Sequence, residues 1–302
     1  MVMKTTSAAG GYSPGAGRAL RLTVFYVTAT TVSLVMFLPF LWSVLTSFKP
    51  DNEIFAFPIR WLPSHFTLDH YRDAFTTVPF LRYFGNSFYL AIMGVLSNLF
   101  LGSLAGYAFA KLTFRLNKPL FRVLLMAMMI PGVVTMIPSF YVLMHLPFFG
   151  GNDWTGAGGH GLLNSFWAII LPGAAGSFAV FFMRQFFLTL PSDMMEVARI
   201  EGAGEFRIFW QIYLPLTKPA LATLGIFTFQ AGWNSFLWPM IVLNDPMKHT
   251  IQMGLQAFSY NHQTDFGPMM AGALVATLPI LVLFILLQKY FVQGIAFSGV
   301  KG

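Results

Sequence analysis

The sequence predicts an all-α, polytopic membrane protein with six transmembrane helices, and three observations lead there. Of its 302 residues, 56% are hydrophobic and only 10% are charged, whereas a soluble domain carries about 25% charged residues to face water. Six apolar stretches, near 22–46, 84–110, 120–143, 165–187, 221–243 and 269–290, are long enough to cross a bilayer, which takes roughly 20 residues per helix. Finally, with the N-terminus placed inside, 13 of the 18 Lys and Arg residues fall on the inner side. The outer side holds only Lys49, Arg60, Arg72, Arg82 and Lys248. By the positive-inside rule both termini are cytoplasmic. Helices are required because hydrocarbon cannot satisfy free backbone polar groups, and the alternating pattern of a barrel is missing.

The first stretch follows a tail at 1–21 rich in Gly, Ser and Ala. Arg18 and Arg21 at its front suggest a secretory signal, but the apolar run exceeds a signal core. Pro39, Phe40, Leu41 and Trp42 also lack the small residues of a cleavage site. A retained first span is the better reading. The outer segment at 48–82 contains Trp61 and several prolines. Its Asp51, Glu53, Asp69 and Asp73 read as the polar face of a surface loop rather than a catalytic carboxylate set. At 150–161, six glycines in twelve residues give a flexible or tightly turning loop. The outer segment at 244–268 is polar with aromatics. Pro39, Pro131, Pro138, Pro172 and Pro279 lie within spans and read as tolerated kinks.

Several chemistries are disfavoured. Cysteine is absent, so no disulfide or thiolate metal site exists. His65, His70, His145, His160, His249 and His262 lack metal-ligand spacing, and no metal or cofactor is expected. The net charge of +7 contains no block of five basic residues, so it speaks for membrane orientation and against nucleic acid.

The longest inner connection, 190–220, holds all four inner acidic residues. Pro191 and Ser192 make a helix start, with Ser192 as N-cap and Asp193 and Glu196 favourable in the first turn. Gly202, Ala203 and Gly204 interrupt that helix. Phe206, Phe209, Trp210 and Tyr213 then recur at i, i+3, i+4 and i+7, the pattern of a helix lying along the membrane interface. Pro215 and Pro219 end it. The result is two short helices joined at a glycine bend against the inner surface.

This segment resembles the EAA loop of ATP-binding-cassette importer permeases: Glu-Ala-Ala, three residues, Gly, nine residues, then Ile-x-Leu-Pro. Here Glu196, Val197 and Ala198 are followed by Gly202, and nine residues later by Ile212, Tyr213, Leu214 and Pro215. Val197 departs from the pattern. Gly-Tyr-Ala-Phe-Ala-Lys ending at Lys111, Arg-Gln-Phe-Phe at 184–187, Lys-Pro-Ala-Leu at 218–221 and Trp-Asn-Ser-Phe-Leu-Trp-Pro at 233–239 extend the likeness. So does Gln-Lys-Tyr-Phe-Val-Gln-Gly at 288–294. Together they resemble the second permease subunit of carbohydrate importers of the maltose, trehalose and glycerol-phosphate type. The tail and the glycine-rich loop are not covered.

The resemblance implies a six-helix permease domain at 22–294 in a bacterial inner membrane, with cytoplasmic tails at 1–21 and 295–302. It implies that the loop at 190–220 is a coupling helix docking on a cytosolic ATPase, through Glu196, Ala198 and Gly202 with Arg199 and Glu201 flanking. The implied partners are a second permease in a heterodimer, two copies of the ATPase, an extracytoplasmic solute-binding protein and membrane lipid. No Gly-x-x-x-x-Gly-Lys-Ser/Thr sequence occurs, so the chain is not expected to hold nucleotide phosphates by that route or to be an enzyme. Sugars are recognised by hydrogen bonds and aromatic stacking, and polar groups within spans are costly. Gln230, Trp233, Asn234 and Ser235 combine both types, with Tyr141 and Asn164 as further candidates. The competing reading is helix–helix hydrogen bonding, or an interfacial belt for Trp233 and Trp238. An ion-coupled secondary transporter is the alternative function. The six stretches hold no acidic residue and the chain shows no internal repeat, which weigh against it. A membrane-embedded enzyme would need convergent carboxylates, histidines or a nucleophile, and none is found.

Overall fold

The computed structural model describes residues 16–259 and 264–299, and among them there is no strand. α1 (Ala16–Thr46) carries Pro39 within it and leaves the side chains from 17 to 41 exposed. Two short helices follow, α2 (Asp51–Ile54) and α3 (Asp69–Thr77). Polar contacts fix the chain between them. Lys49 Nζ donates to the Arg60 carbonyl at 2.6 Å, and the Glu53 carboxylate accepts from the Ser64 amide at 3.0 Å and from Arg60 at 3.2 Å. These hydrogen bonds, Ser64 first, hold the Glu53 carboxyl below its usual range. Glu53 is therefore a structural tie.

The next membrane-crossing run, Phe80–Lys111, joins α4 (Phe80–Ser97), a π-helical turn at Asn98–Gly102 and α5 (Ser103–Lys111). α6 (Asn117–Met129) and α7 (Gly132–Met144) come next, and they meet at 109°. The span expected at 120–143, with Pro131 as a kink, is thus an elbow, and Pro131 ends a helix rather than kinking one. Pro131 has no amide hydrogen and forces Ile130 into an extended conformation, with ψ at 121°.

α8 (Trp167–Gly173) and α9 (Ser177–Thr189) form another run long enough to cross. The inner loop supplies α10 (Asp193–Ile200), α11 (Glu205–Ile208), a second π turn at Phe209–Tyr213 and α12 (Leu214–Leu216). α13 (Lys218–Trp233) leaves that assembly at 82°. It ends ten residues short of the expected limit at 243: Asn234 to Phe236 are non-helical before α14 (Leu237–Val242). α15 (Ile251–Gln256) and the long α16 (Phe266–Gly299) close the chain. α16 stays helical through the start of the tail expected at 295–302, while 1–15 and 300–302 lie outside the described residues. Among the described residues, four helical runs are therefore long and apolar enough to cross a membrane, and two bent pairs bring the number to six if each counts as a span.

α5 packs on α9, α13 lies between α4 and α16, and α1 leans on α16. The α5–α9 contact is close because two glycines one turn apart remove side-chain bulk. A Cβ on Gly102 would lie 2.8 Å from the Ala179 Cβ, and one on Gly106 would lie 2.9 Å from the Arg184 amide. Buried Asn98, in the first π turn, pins the break between α8 and α9. Its Nδ2 donates to the Gly94 and Gly173 carbonyls, and its Oδ1 accepts from the Gly176 amide at 2.9 Å.

The glycine-rich loop turns tightly. Asp153 Oδ1 accepts from the Thr155 amide and hydroxyl and from the Ala157 amide, while Asn152 Nδ2 donates to the Met144 and Leu146 carbonyls. Gly161 has φ of +59°, and a Cβ there would lie 2.0 Å from the Leu143 carbonyl. Close backbone approach, in addition to positive φ, requires glycine at this point.

Candidate functional site

The inner loop is a packed structure with one bare face. α10 begins after Ser192, whose side chain makes no cap hydrogen bond. The expected N-cap role is replaced by a tether, in which Lys111 at the end of α5 donates to Ser192 Oγ at 3.2 Å and to the Leu190 carbonyl at 2.6 Å. Tyr213 donates to the Pro191 carbonyl at 2.8 Å. At the other end Gly202 stands at φ +83°, with the Ala203 amide bonded to the Ala198 carbonyl and the Gly202 amide to the Arg199 carbonyl. This is a Schellman stop, whose left-handed residue is usually glycine. Arg199 Nε donates to Glu205 at 2.7 Å, and the Tyr107 hydroxyl reaches the same carboxylate at 3.3 Å. The Glu205 hydrogen bond pushes the Arg199 guanidinium above its usual range.

Met195 and Ala198 turn inward onto a cluster that includes Tyr107, Phe187, Phe209 and Tyr213. Tyr107 meets Phe187 edge-on at 5.7 Å, a geometry worth about 0.5–1.5 kcal/mol beyond area burial. The aromatic stripe expected along the interface is thus corrected. Phe209 and Tyr213 are fully buried, while Phe206 and Trp210 stay exposed and stack at 6.3 Å. The stripe divides into two i, i+4 pairs on different faces of the helix. Outward, α10 presents Val197 and Ile200, the latter 87% exposed, beside exposed Glu196 and Glu201.

Deeper in the chain, two hollows of about 360 and 590 Å³ adjoin, sharing Leu90, Ile169, Gly173, Ala231 and Gly232 in their walls. Thr135, Ser139, Ser235, Trp238 and Thr250 line the smaller, and Asn98 and Thr228 the larger. Neither lining contains a charged residue.

Residues 98–297 match the family of binding-protein-dependent transport system inner membrane components. The chain belongs to that family. It is 34% identical to an arabinooligosaccharide transport system permease protein of Halalkalibacterium halodurans, over 90% of this chain and 93% of that one. It is 33% identical to a maltodextrin transport system permease protein of Bacillus subtilis, over 94% and 98% respectively. Among solved structures, it shares its fold with a chain of a bacterial ABC transporter involved in importing the acidic polysaccharide alginate. That likeness has a TM-score of 0.76 and 23% identity, covering 93% of this chain and 99% of the other.

In this inner membrane component the residues expected at the ATPase contact divide by face. Glu196 and Glu201 are outward and exposed, Gly202 makes the bend, Ala198 is buried, and Arg199 is occupied by Glu205. The residues expected along a solute path also divide. Ser235 lines the smaller hollow and Gln230 a separate groove between α13 and α16. Trp233 is buried, stacked on Phe229 and donating to the Ala276 carbonyl at 2.9 Å. Asn164 accepts from the Asn244 and Asp245 amides, tying the glycine-rich loop to the end of α14. Tyr141 is exposed and packs on His145, and Asn234 accepts from Gln252 at 3.4 Å. The Trp233 indole N–H is thus engaged in a hydrogen bond between α13 and α16.

Sequence reasoning missed Lys111, Tyr107 and Glu205 as ties of the inner loop, and Asn98 as the pin of a broken helix. An Asn in the middle of an apolar stretch was the available signal for the last.

Proposed function

We propose that this chain is the transmembrane permease subunit of an ATP-driven importer and, with a second permease, forms the path for a sugar or sugar-like solute. Four long runs and two elbows would give six spans with both termini cytoplasmic, the orientation favoured by the basic residues. A solute-binding protein delivers the sugar outside, and two copies of a cytosolic ATPase supply the energy. ATP hydrolysis belongs to those copies.

The observation that carries this reading is the bare face of α10. Val197 and Ile200 are exposed apolar side chains flanked by Glu196 and Glu201, on a helix whose opposite face is anchored in the core. A cytosolic cleft with an apolar floor and basic rim complements it. Because Lys111 and Tyr213 tie the start of α10 and the Gly202 bend its end, force applied there passes to α5 and to α11–α13.

Co-purification of the ATPase together with sugar uptake tests this reading. Ile200→Asp and Glu196→Lys should insert normally but lose the ATPase or uncouple its hydrolysis from uptake. If both variants keep the ATPase and transport at wild-type rates, α10 is not the coupling element.

A further inference from the structure

We propose that the inner end of α6 binds the headgroup of an acidic phospholipid, a reading that rests on the orientation proposed above and not on what the importer carries. Arg115 stands in the turn before α6, and Lys118 and Arg122 share one face of the helix at i and i+4. All three are exposed, and none has a hydrogen bond or ion pair among the described residues. Lys111, Arg199 and Arg207, by contrast, bond to Leu190, Glu205 and Gln211. Nothing nearby neutralises the three. No acidic residue occurs between Asp73 and Asp153, and α5 and α9, which touch α6, carry none.

A fourth cation stands beside them. The Arg184 guanidinium of α9 lies 3.9 Å from the centre of the Phe121 ring, and Phe121 follows Lys118 by three residues on α6. Its Nε donates to the Phe109 carbonyl at 3.3 Å, while its terminal nitrogens have no partner among the described residues. Ring and carbonyl thus hold the guanidinium at the inner end of a membrane-crossing run, with donors to spare. A cation at that depth is costly unless an anion or water meets it. A guanidinium fork fits two oxygens of one phosphate.

The source of that phosphate is written on the same face of α6. Lys118, Arg122, Met126 and Met129 fall at i, i+4, i+8 and i+11, and all four are exposed. The cations come first, and apolar side chains begin about 6 Å further in, four residues along the helix. That order matches a phospholipid, with its phosphate at the surface and its acyl chain below. Basic residues immediately cytoplasmic of a span attract acidic lipid for this reason. A soluble phosphate has no use for the apolar half of the face, and a cytosolic protein does not reach it.

The chain has no cysteine, so Met126→Cys accepts a single bimane label. The labelled full chain, purified in its native complex, is placed in nanodiscs with brominated phosphatidylglycerol or brominated phosphatidylcholine at equal mole fraction. Bromine quenches the label on contact, so the two lipids compete for a direct readout. Phosphatidylglycerol should be preferred about tenfold or more at low ionic strength. Arg122→Gln should cut that preference about fivefold, Arg122→Lys should keep most of it, and Arg115→Gln, Lys118→Gln and Arg122→Gln together should abolish it. Equal quenching by both lipids, or a preference that survives the triple variant, overturns the site. So does quenching by neither, which would mean that another protein covers this face. Loss of the preference on adding millimolar inorganic phosphate at fixed ionic strength would make it a site for free phosphate and overturn the lipid reading. Orientation has its own arm: Arg122→Cys in intact cells should react with an impermeant thiol reagent only after the membrane is opened. Labelling from outside would overturn the inner-leaflet assignment even where the lipid preference stands.

Discussion

At the scale of single residues, Gly202 shows how little of a helix-ending bend depends on packing. Nothing lies within 4 Å of where its Cβ would be, yet its φ is +83°. A substitution there therefore strains the backbone without creating a clash, at about 1–2 kcal/mol for an L-residue in the left-handed region. Gly202→Ala should reduce uptake modestly and Gly202→Val severely, with both variants inserting at normal levels. Sugar transported per ATP hydrolysed is the measurement. Asp153 gives a prediction in pH. Hydrogen bonds from the Thr155 hydroxyl, then from the Ala157 and Thr155 amides, hold its carboxyl below the usual range. The folded value lies below the unfolded one, near 3.9. The stabilisation is thus fully present above that unfolded value and is lost as pH falls through the folded one. Protection of the Thr155 and Ala157 amides, relative to their intrinsic exchange, should persist at neutral pH and be lost only in acid. Asp153→Ala should lose it already at neutral pH.

At the scale of elements, the inner loop is governed by tethers that sequence spacing could not show. The glycine bend and the two short helices were legible, because Gly202 to Gly204 and the flanking prolines act locally. The burial of Phe209 and Tyr213 was not, since a π turn and contacts with α5 and α9 decide which aromatic faces inward. Similarly, the elbow at Pro131 was written in the sequence as a proline. Whether such a proline kinks or ends a helix depends on what surrounds the freed backbone groups. Lys111 is the tether to test. Lys111→Met should release the Leu190 carbonyl and Ser192 hydroxyl, lowering uptake while ATP hydrolysis continues, and Lys111→Arg should restore coupling. A Lys111→Met importer with wild-type uptake per ATP would show that α5 takes no part. Gly106→Leu should be harsher, since its side chain would enter the α9 backbone. Reduced thermal stability of the purified chain measures that loss.

At the scale of the whole molecule, the basic asymmetry makes a topological prediction. A cysteine replacing Trp154, 75% exposed on the glycine-rich loop, should react with an impermeant thiol reagent from outside. One replacing Glu201, exposed beyond α10, should react only after the membrane is opened. The reverse labelling would invert the orientation. The all-helical class and the positions of the long runs were legible in hydropathy, because the bilayer imposes one requirement on every span. The elbows were not, because each is set by a few residues inside an otherwise apolar stretch. The Asn98 pin bears on how such a molecule changes shape. Two hydrogen bonds from Asn98, the residue that follows α4, reach the two sides of the gap between α8 and α9. The expected consequence is that the gap does not serve as a joint and that α4, α8 and α9 move together. Any alternation between outward and inward opening must then be taken up at the Pro131 elbow and at Thr217, where α13 departs. Cross-linking α8 to α9 should leave the transport cycle intact, while cross-linking α6 to α7 should arrest it.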